Sequence, residues 1–331
     1  MRVRRTIVAL VFAMVGLISI FVDATADAAD YSFRVYTNNN ALSIHYAGLK
    51  AFKEGVDAKA GGKIDTRLFH SGSLGDDIAT LQALQTGTLD IGTVDTPITT
   101  VDELLGVFGL PYIFRDRDHV AKVMNGPVGE MVAERLQKKG LKVLAYFEGG
   151  FRHITNNVRP IVKPEDLKGI KLRTPSSALR IKIFKQYGAN ASALPYPELY
   201  PALQTKVFDG QENPAIEVKT AKFYEVQKYL SFTGHVYTVS YLLMSDKVHA
   251  KLPADLQKLL REAAQTAAKA TVEVGIKGDA EVAEFAKSKG MQVNQADVKA
   301  FVDASKPIWT EFAKEQGAEA EKLIKMVADT Q

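Results

Sequence analysis

Apolar runs with the length of a strand alternate with helical patterns through the first third of the chain. The apolar runs lie at 33–37, 63–69 and 89–94, and helical patterns at 41–61 and 76–86 separate them. This alternation predicts an α/β fold with a largely parallel sheet. In such a sheet, small ligands bind beside the carboxyl ends of the strands, where helix N-termini offer backbone N–H groups to anions.

The later part of the chain predicts a second α/β unit and one very long helix. The second set of patterns begins near Arg152, and the apolar stretch 235–245 predicts a further strand. Residues 253–289 begin with proline, are rich in alanine, leucine, glutamate and lysine, and are followed by Gly290, as is typical of a single helix. At roughly 1.5 Å per residue this helix would span about 50 Å, so we expect it to contact both units.

The N-terminus predicts an export signal. Arginines at positions 2, 4 and 5 precede a 17-residue apolar run at 6–22, and the small residues of an A-x-A-like cleavage site end near Ala28. Residues 1–28 are therefore predicted to be a cleaved signal peptide, and a retained membrane anchor is the alternative. The chain has no cysteine, which excludes a lipidation site, a disulfide and thiolate chemistry.

Charge and motif content exclude several classes of function. The net charge of +4 arises from 42 basic and 38 acidic residues that are interspersed, whereas nucleic-acid binding needs a concentrated basic patch. The six histidines show no metal-ligand spacing, and no phosphate-binding glycine loop is present. Ser73, in SGSLG, lacks one glycine of a nucleophile elbow. The sequence thus predicts no nucleic-acid partner, no cofactor, no metal and no catalytic residue.

Two arginines stand on short apolar segments flanked by turn residues. They are Arg152 and Arg173, within the stretch GGFRHITNNVRPIVKPEDLKGIKLRTP at 149–175. A guanidinium is always charged and presents a planar fork of donors, so an arginine on a rigid element can hold a carboxylate through two parallel hydrogen bonds. The alternative is a pair of solvated arginines at strand edges.

Several segments resemble one family of transport proteins. HSGSLGDD, GGFRHITNN, RPIVKPEDLKGIKLRTP and VFDGQENP occur in the order found in substrate-binding proteins of tripartite ATP-independent periplasmic (TRAP) transporters of the DctP type. The resemblance covers nearly the whole chain after residue 29. It implies a two-lobed periplasmic binding protein with a mostly parallel sheet in each lobe, hinge crossings and a long helix spanning both lobes.

The resemblance also divides the chain. Lobe I is expected to comprise residues 29–149 plus about 239–278, and lobe II residues 150–238 plus about 279–331. The lobes are expected to close around a ligand by hinge motion.

The same resemblance assigns a set of ligand-binding residues. In this family an arginine of the KGxKxR segment, here Arg173, pairs with the ligand's carboxylate. An arginine of the GxR segment and an asparagine of the GQEN segment assist it. The full set implied for this chain is Arg173, Arg152, Asn213, Asn38, Asp95, Asp77 and Tyr196. The alternatives are a helix cap for Asp77, turn formers for Asn38 and Asp95, and a core aromatic for Tyr196.

The resemblance implies a second set of residues that act in closure. Arg152, Glu212 and His235 match a charge network that is expected to assemble beneath the site when the lobes close. A core histidine is the alternative for His235. Asp95 accepts hydrogen bonds from hydroxyls and repels a second carboxylate, which favours a hydroxylated acid. Ile98 stands where the sialic-acid-binding branch has an arginine, which disfavours sialic acid.

The expected function is capture of a small organic acid in the periplasm and its delivery to a membrane permease. The ligand is expected to be a sugar acid such as a uronate or aldonate, or a C4-dicarboxylate, and 2-oxo acids stay open. The implied partners are the small and large integral membrane subunits of a TRAP permease, and the protein itself is expected to be a monomer. The alternatives are a periplasmic enzyme on acidic sugars, with Asp77, Asp95 or Glu212 as acid and base, or a ligand-sensing subunit of a sensor kinase.

Overall fold

The computed structural model describes residues 29–331; the predicted signal peptide at 1–28 lies outside the described residues. Strands alternate with helices along the chain, as the apolar pattern predicts. The strands are β1 (Tyr31–Tyr36), β2 (Ile64–Phe69), β3 (Ile91–Val94), β4 (Leu141–Asn156), β5 (Lys171–Thr174), β6 (Asn190–Ala193), β7 (Gly210–Pro214), β8 (Tyr229–Ser245) and β9 (Gln292–Gln295).

The helices fill the intervals between the strands. Side-chain caps from Ser43, Asp76 and Ser177 accept hydrogen bonds from backbone N–H groups in the first turns of three of them. The helices are α1 (Ile44–Ala60), α2 (Asp77–Thr86), α3 (Arg117–Met124), α4 (Pro127–Gln137), α5 (Ala178–Gln186), α6 (Leu199–Gln204), α7 (Glu217–Thr220), α8 (Asp246–His249), α9 (Ala254–Ser288), α10 (Val298–Gln316) and α11 (Ala318–Asp329), with short 3₁₀ turns at Thr96–Thr100, Glu103–Gly109, Pro164–Leu167, Tyr196–Glu198 and Phe223–Glu225.

The predicted α/β class is confirmed, and the strands form one continuous mixed sheet. The order is β2-β1-β3-β8-β4-β7-β5-β6, with β9 paired to β8. Pairs near both ends of the sheet, β1 with β2 and β3, and β5 with β6 and β7, are parallel. The central pairs β3-β8, β8-β4 and β4-β7 are antiparallel. Two parallel units, one for each lobe, are thus joined by antiparallel strands.

The joining strands β4 and β8 are far longer than the others, with 16 and 17 residues. Arg152 therefore lies inside a long strand and not on the short segment expected from the sequence, because β4 continues from one lobe into the other. The register between the two strands shifts at three places, one of them between Glu148 and Gly150, opposite Val239 and Thr238. Gly150 has φ +101, a backbone conformation that L side chains rarely adopt.

The long helix predicted at 253–289 is confirmed as α9. One end of α9 packs on α1 and β4, and its other end on α7 and β9. Gly275 approaches Glu148 so closely that a Cβ there would lie 2.7 Å from Glu148 Cγ. The helix therefore contacts elements of both lobes, as its length predicts. No helix within residues 29–331 is long and apolar enough to cross a membrane.

Candidate ligand-binding site

All seven residues that the sequence predicts as ligand-binding line one pocket. Asn38 and Asp95 follow β1 and β3, Arg173 lies in β5, and the pocket contains about 430 Å³ of non-atom space, including its open mouth. Asp77, Arg152, Tyr196 and Asn213 complete the predicted set, and the further lining residues are Asn39, His45, Thr96, Pro97, Pro175, Pro214 and Glu217.

Arg173 is the least satisfied cation of this pocket. Its side chain is 2% exposed, and its hydrogen bond within residues 29–331 runs from Nε to the carbonyl oxygen of Leu194 at 2.8 Å. Neither Nη group has a hydrogen-bond acceptor among the described residues. Burial, together with the nearby charge of Arg152, lowers the pKa of Arg173 to about 10. A bound anion would favour its charged form, and the Nη fork is available for one.

Arg152 lines the same pocket, but the protein already occupies most of its donors. Its Nε donates to Glu212 Oε2 at 2.5 Å, and its Nη2 donates to the Glu212 backbone oxygen at 2.5 Å and to Asn213 Oδ1 at 2.9 Å. Nη1 donates to Thr238 Oγ1 at 3.2 Å. One Nη1 hydrogen is left for a ligand, so Arg152 can assist a carboxylate contact but cannot supply a free fork.

The carboxylate of Glu212 contacts two arginines and a histidine beneath the pocket. Arg152 is joined by Arg180 of α5, whose Nη1 donates to Glu212 Oε2 at 2.9 Å, and by His235 Nε2 at 3.1 Å. Burial alone would raise the pKa of Glu212, but the two arginines and the histidine outweigh it and hold this pKa far below its usual value. The predicted trio of Arg152, Glu212 and His235 is therefore in direct contact; its role in closure stays a prediction.

Two carboxylates lie on the other side of the pocket in different electrostatic environments. Asp77 accepts a hydrogen bond from Asn38 Nδ2 at 2.6 Å, and burial together with nearby Asp95 raises the pKa of Asp77 to about 7. Asp95 Oδ1 lies 3.1 Å from His45 Nε2. Burial acts to raise the pKa of Asp95, but His45 outweighs it and lowers this pKa. Asp76, and not Asp77, is the side-chain cap of α2.

Tyr196 connects the pocket to a carboxylate that the sequence analysis did not single out. Its hydroxyl donates to Glu217 Oε2 at 2.5 Å. Glu217 is 3% exposed, and burial raises its pKa. Tyr196 thus carries a polar contact in this pocket and is not a purely apolar core residue.

Sequence reasoning did not single out three charged residues of this region: His45, Arg180 and Glu217. His45 and Arg180 belong to helices whose patterns show nothing unusual, and Glu217 follows the GQENP segment by three residues. The usable signal was position, because Glu217 lies three residues after a strand that ends at the predicted site. Within residues 29–331, no group of three or more His, Asp or Glu side chains could hold a metal ion.

An α/β chain with two lobes and a polar pocket at strand ends is typical of two-lobed solute-binding proteins. The chain belongs to the family described as bacterial extracellular solute-binding protein, family 7, whose model matches residues 36–316. Members of this family are solute-binding proteins and not enzymes, and the family includes the TRAP solute-binding proteins to which the sequence is similar.

Relatives of the chain cover most of its length. The 2,3-diketo-L-gulonate-binding periplasmic protein of Escherichia coli is 32% identical over 313 residues, 93% of this chain and 94% of that protein. The structure of the sugar acid binding protein of Advenella mimigardefordensis in complex with galactonate has a TM-score of 0.88 at 31% identity, and covers 92% of this chain and 100% of that one.

A second solved structure has a different ligand on the same fold. The TRAP periplasmic solute-binding protein of Sulfurospirillum deleyianum with bound succinate has a TM-score of 0.85 at 32% identity, and covers 92% of this chain and 100% of that one. Similarity of fold alone therefore does not separate a sugar acid from a dicarboxylate.

Proposed function

We propose that this protein captures a small organic acid, a sugar acid or a C4-dicarboxylate, by placing the acid's carboxylate on the Arg173 fork. The observation that carries the proposal is that Arg173 is buried, lines the pocket and has both Nη groups without an acceptor among residues 29–331. A buried cation without a counter-charge is costly, and a ligand carboxylate would offset that cost. The galactonate and succinate ligands of its structural relatives both carry such a group.

Closure of the two lobes would complete the site. Asn38, Asp77 and Asp95 come from lobe I of the predicted division, and Arg173, Asn213 and Tyr196 from lobe II. A ligand in contact with both sets stabilises the closed state through those contacts. The predicted lobe boundaries at 149/150 and 238/239 fall at one of the three register shifts between β4 and β8.

The place of action follows from the family and the N-terminus. The family's periplasmic members and the predicted signal peptide at 1–28 support export to the periplasm. Delivery of the bound acid to small and large integral membrane TRAP subunits completes the proposed role.

The clamp can be tested with two substitutions at one position. Arg173→Ala removes the fork and the charge, and Arg173→Lys keeps the charge alone. We expect the alanine variant to lose at least about 100-fold in affinity for D-galactonate or succinate, whichever the wild type binds, and lysine to restore only part of it. Isothermal titration calorimetry measures both, with the exposed Arg34→Ala as the control. Unchanged affinity in Arg173→Ala would refute the clamp.

A further inference from the structure

Glu217 is a buried carboxylate of the pocket without a cationic partner. No lysine, arginine or histidine nitrogen among residues 29–331 lies within 4.0 Å of it, whereas Asp95 is paired with His45 at 3.1 Å. Tyr196 Oη donates to its Oε2, and the Thr220 hydroxyl is a second donor near this carboxylate. A carboxylate has about four lone-pair sites, so Glu217 can accept further hydrogen bonds from a ligand.

Glu217 and Arg173 face the pocket in different electrostatic surroundings. The charged groups that act on Glu217 include His45 and Asp95, and those that act on Arg173 are Arg152, Glu212 and Asp77. Tyr196 lines the same pocket as both residues, and its hydroxyl donates to Glu217 Oε2. Because Arg173, Tyr196 and Glu217 line one pocket, a ligand whose carboxylate is held at Arg173 can bring its other groups to Glu217.

We propose that Glu217 selects the ligand class of this pocket: it accepts hydrogen bonds from hydroxyl groups of a polyhydroxylated monocarboxylic acid and excludes acids that place a second carboxylate beside it. The proposal rests on the proposed function, since Arg173 must hold the ligand's first carboxylate. It narrows that function from small organic acids in general to sugar acids with one carboxylate.

The chemistry of a carboxylate explains both halves of this selection. An ionised carboxylate only accepts hydrogen bonds, and a sugar hydroxyl can donate one to it. A second ligand carboxylate at the same place either faces a like charge or requires Glu217 to take up a proton. Both responses weaken binding of a dicarboxylate at neutral pH.

The fold holds Glu217 in place from two directions. Glu217 begins α7, which follows the site strand β7 after only two residues. Ile216, beside it, packs against Gly278 of α9, and the Thr220 carbonyl at the end of α7 accepts a hydrogen bond from Asn40 Nδ2 at 3.1 Å. Such support on both sides is what a selective site requires, because it fixes the carboxylate relative to the ligand.

The matched control is a surface copy of the same pair. Tyr200 Oη donates to Glu225 Oε2 at 2.6 Å, in an exposed position whose carboxylate does not line the pocket. Glu217→Gln and Glu225→Gln therefore remove the same charge from the same kind of tyrosine contact. Only the first substitution changes the pocket.

The test is calorimetric titration of wild type and both variants with D-galactonate, succinate and L-aspartate at pH 7. We expect the wild type to bind galactonate more tightly than succinate. Glu217→Gln should lower the affinity for galactonate by about tenfold or more and leave the affinity for succinate unchanged or higher. Glu225→Gln should leave all affinities unchanged.

Three outcomes would overturn the proposal. In the first, the wild type binds succinate more tightly than galactonate. In the second, Glu217→Gln loses affinity equally for galactonate and succinate. In the third, the wild type prefers zwitterionic L-aspartate, which would mean that Glu217 binds an ammonium group. The Arg173→Ala titration separates this failure from that of the proposed function. If Arg173→Ala abolishes binding and Glu217→Gln changes nothing, the clamp stands and the selection by Glu217 is refuted.

Discussion

Two buried carboxylates on the central sheet, Glu212 and Glu148, have opposite electrostatic environments. Glu212 contacts two arginines and a histidine. Glu148 shares a single arginine, Arg117, with a second carboxylate, Asp279, at 3.0 and 2.6 Å, and accepts a hydrogen bond from Tyr237 Oη at 2.5 Å. The first group has excess positive charge and the second has excess negative charge.

The pKa shifts of the two carboxylates differ accordingly. Burial raises the pKa of Glu148, and Arg117 opposes this effect only in part. The pKa of Glu212 is lowered, because its cationic partners outweigh burial. Burial alone therefore does not decide whether a carboxylate is held ionised; the number of cations around it does.

The two groups also lie at different functional places. The Glu212 group lies beneath Arg173, so its excess positive charge is presented toward the pocket. The Glu148 group joins α3, β4, β8 and α9 where the register between the crossing strands shifts. We therefore expect disruption of the Glu212 group to lower the free energy of unfolding of the whole protein. Changes to the Glu148 group, near the lobe crossing, should lower it less.

The largest effect is expected for Glu212→Gln. This substitution leaves Arg152 and Arg180 buried without their counter-charge, so we expect the free energy of unfolding to fall by about 3–5 kcal/mol. Urea unfolding of the mature protein measures this change. The exposed Glu54→Gln on α1 is the control and should change stability by less than about 0.5 kcal/mol. A loss below about 1 kcal/mol would contradict the comparison.

Most of the fold could be predicted from the sequence, but the groups of charged side chains around Glu212 and Glu148 could not. The alternation of apolar runs and helical patterns predicted the strands β1 to β3 and the α9 helix, because periodicity reports which face of an element is buried. The extension of β8 back to Tyr229 was not predicted. Its first half carries polar residues such as Ser231 and Thr233, which are buried where β8 pairs with β4 and β9.

The site residues could be predicted where a ligand-binding side chain follows a strand or lies in a segment that resembles the TRAP family. All seven predicted residues line the pocket. Arg180, His45 and Glu217 were missed because a charged residue on a helix is usually solvated. Only tertiary packing reveals that these three are buried.

The next largest effect is expected at the point where α9 approaches Glu148. In Gly275→Ala the new Cβ would lie 2.7 Å from Glu148 Cγ and 3.1 Å from its Cδ. The helix gains propensity, but the clash with a buried side chain outweighs it, and we expect a net loss of about 1–2 kcal/mol in the free energy of unfolding. The double variant with Glu148→Ala should recover most of that loss. If both backgrounds lose equally, the clash is not the cause.

A smaller effect is expected for Glu148→Gln. Arg117 keeps Asp279 as its partner at 2.6 Å, so no cation is left without a counter-charge. We expect a loss of about 1 kcal/mol or less at pH 7, measured by the same urea unfolding. If Glu148→Gln lowered the free energy of unfolding as much as Glu212→Gln, the excess negative charge around Glu148 would not be destabilising. The two carboxylates would then not differ as proposed.

The smallest effect is a difference in pH dependence, and its sign follows from the two pKa shifts. The folded pKa of Glu212 lies below its unfolded value of 4.5, so its contribution to stability is present above pH 4.5 and is lost as pH falls toward the folded pKa. The folded pKa of Glu148 lies above 4.5, so its contribution is present below pH 4.5 and is lost as pH rises through the folded pKa.

The stability difference between wild type and Glu212→Gln should therefore shrink as pH falls below about 4.5, and the difference between wild type and Glu148→Gln should shrink as pH rises above it. Each change amounts to on the order of 0.5 kcal/mol within a pH unit of 4.5. Urea unfolding between pH 4 and 7 measures both differences. Two difference curves with slopes of the same sign would mean that the two carboxylates share one electrostatic environment, because the slope depends only on which state binds the proton more tightly.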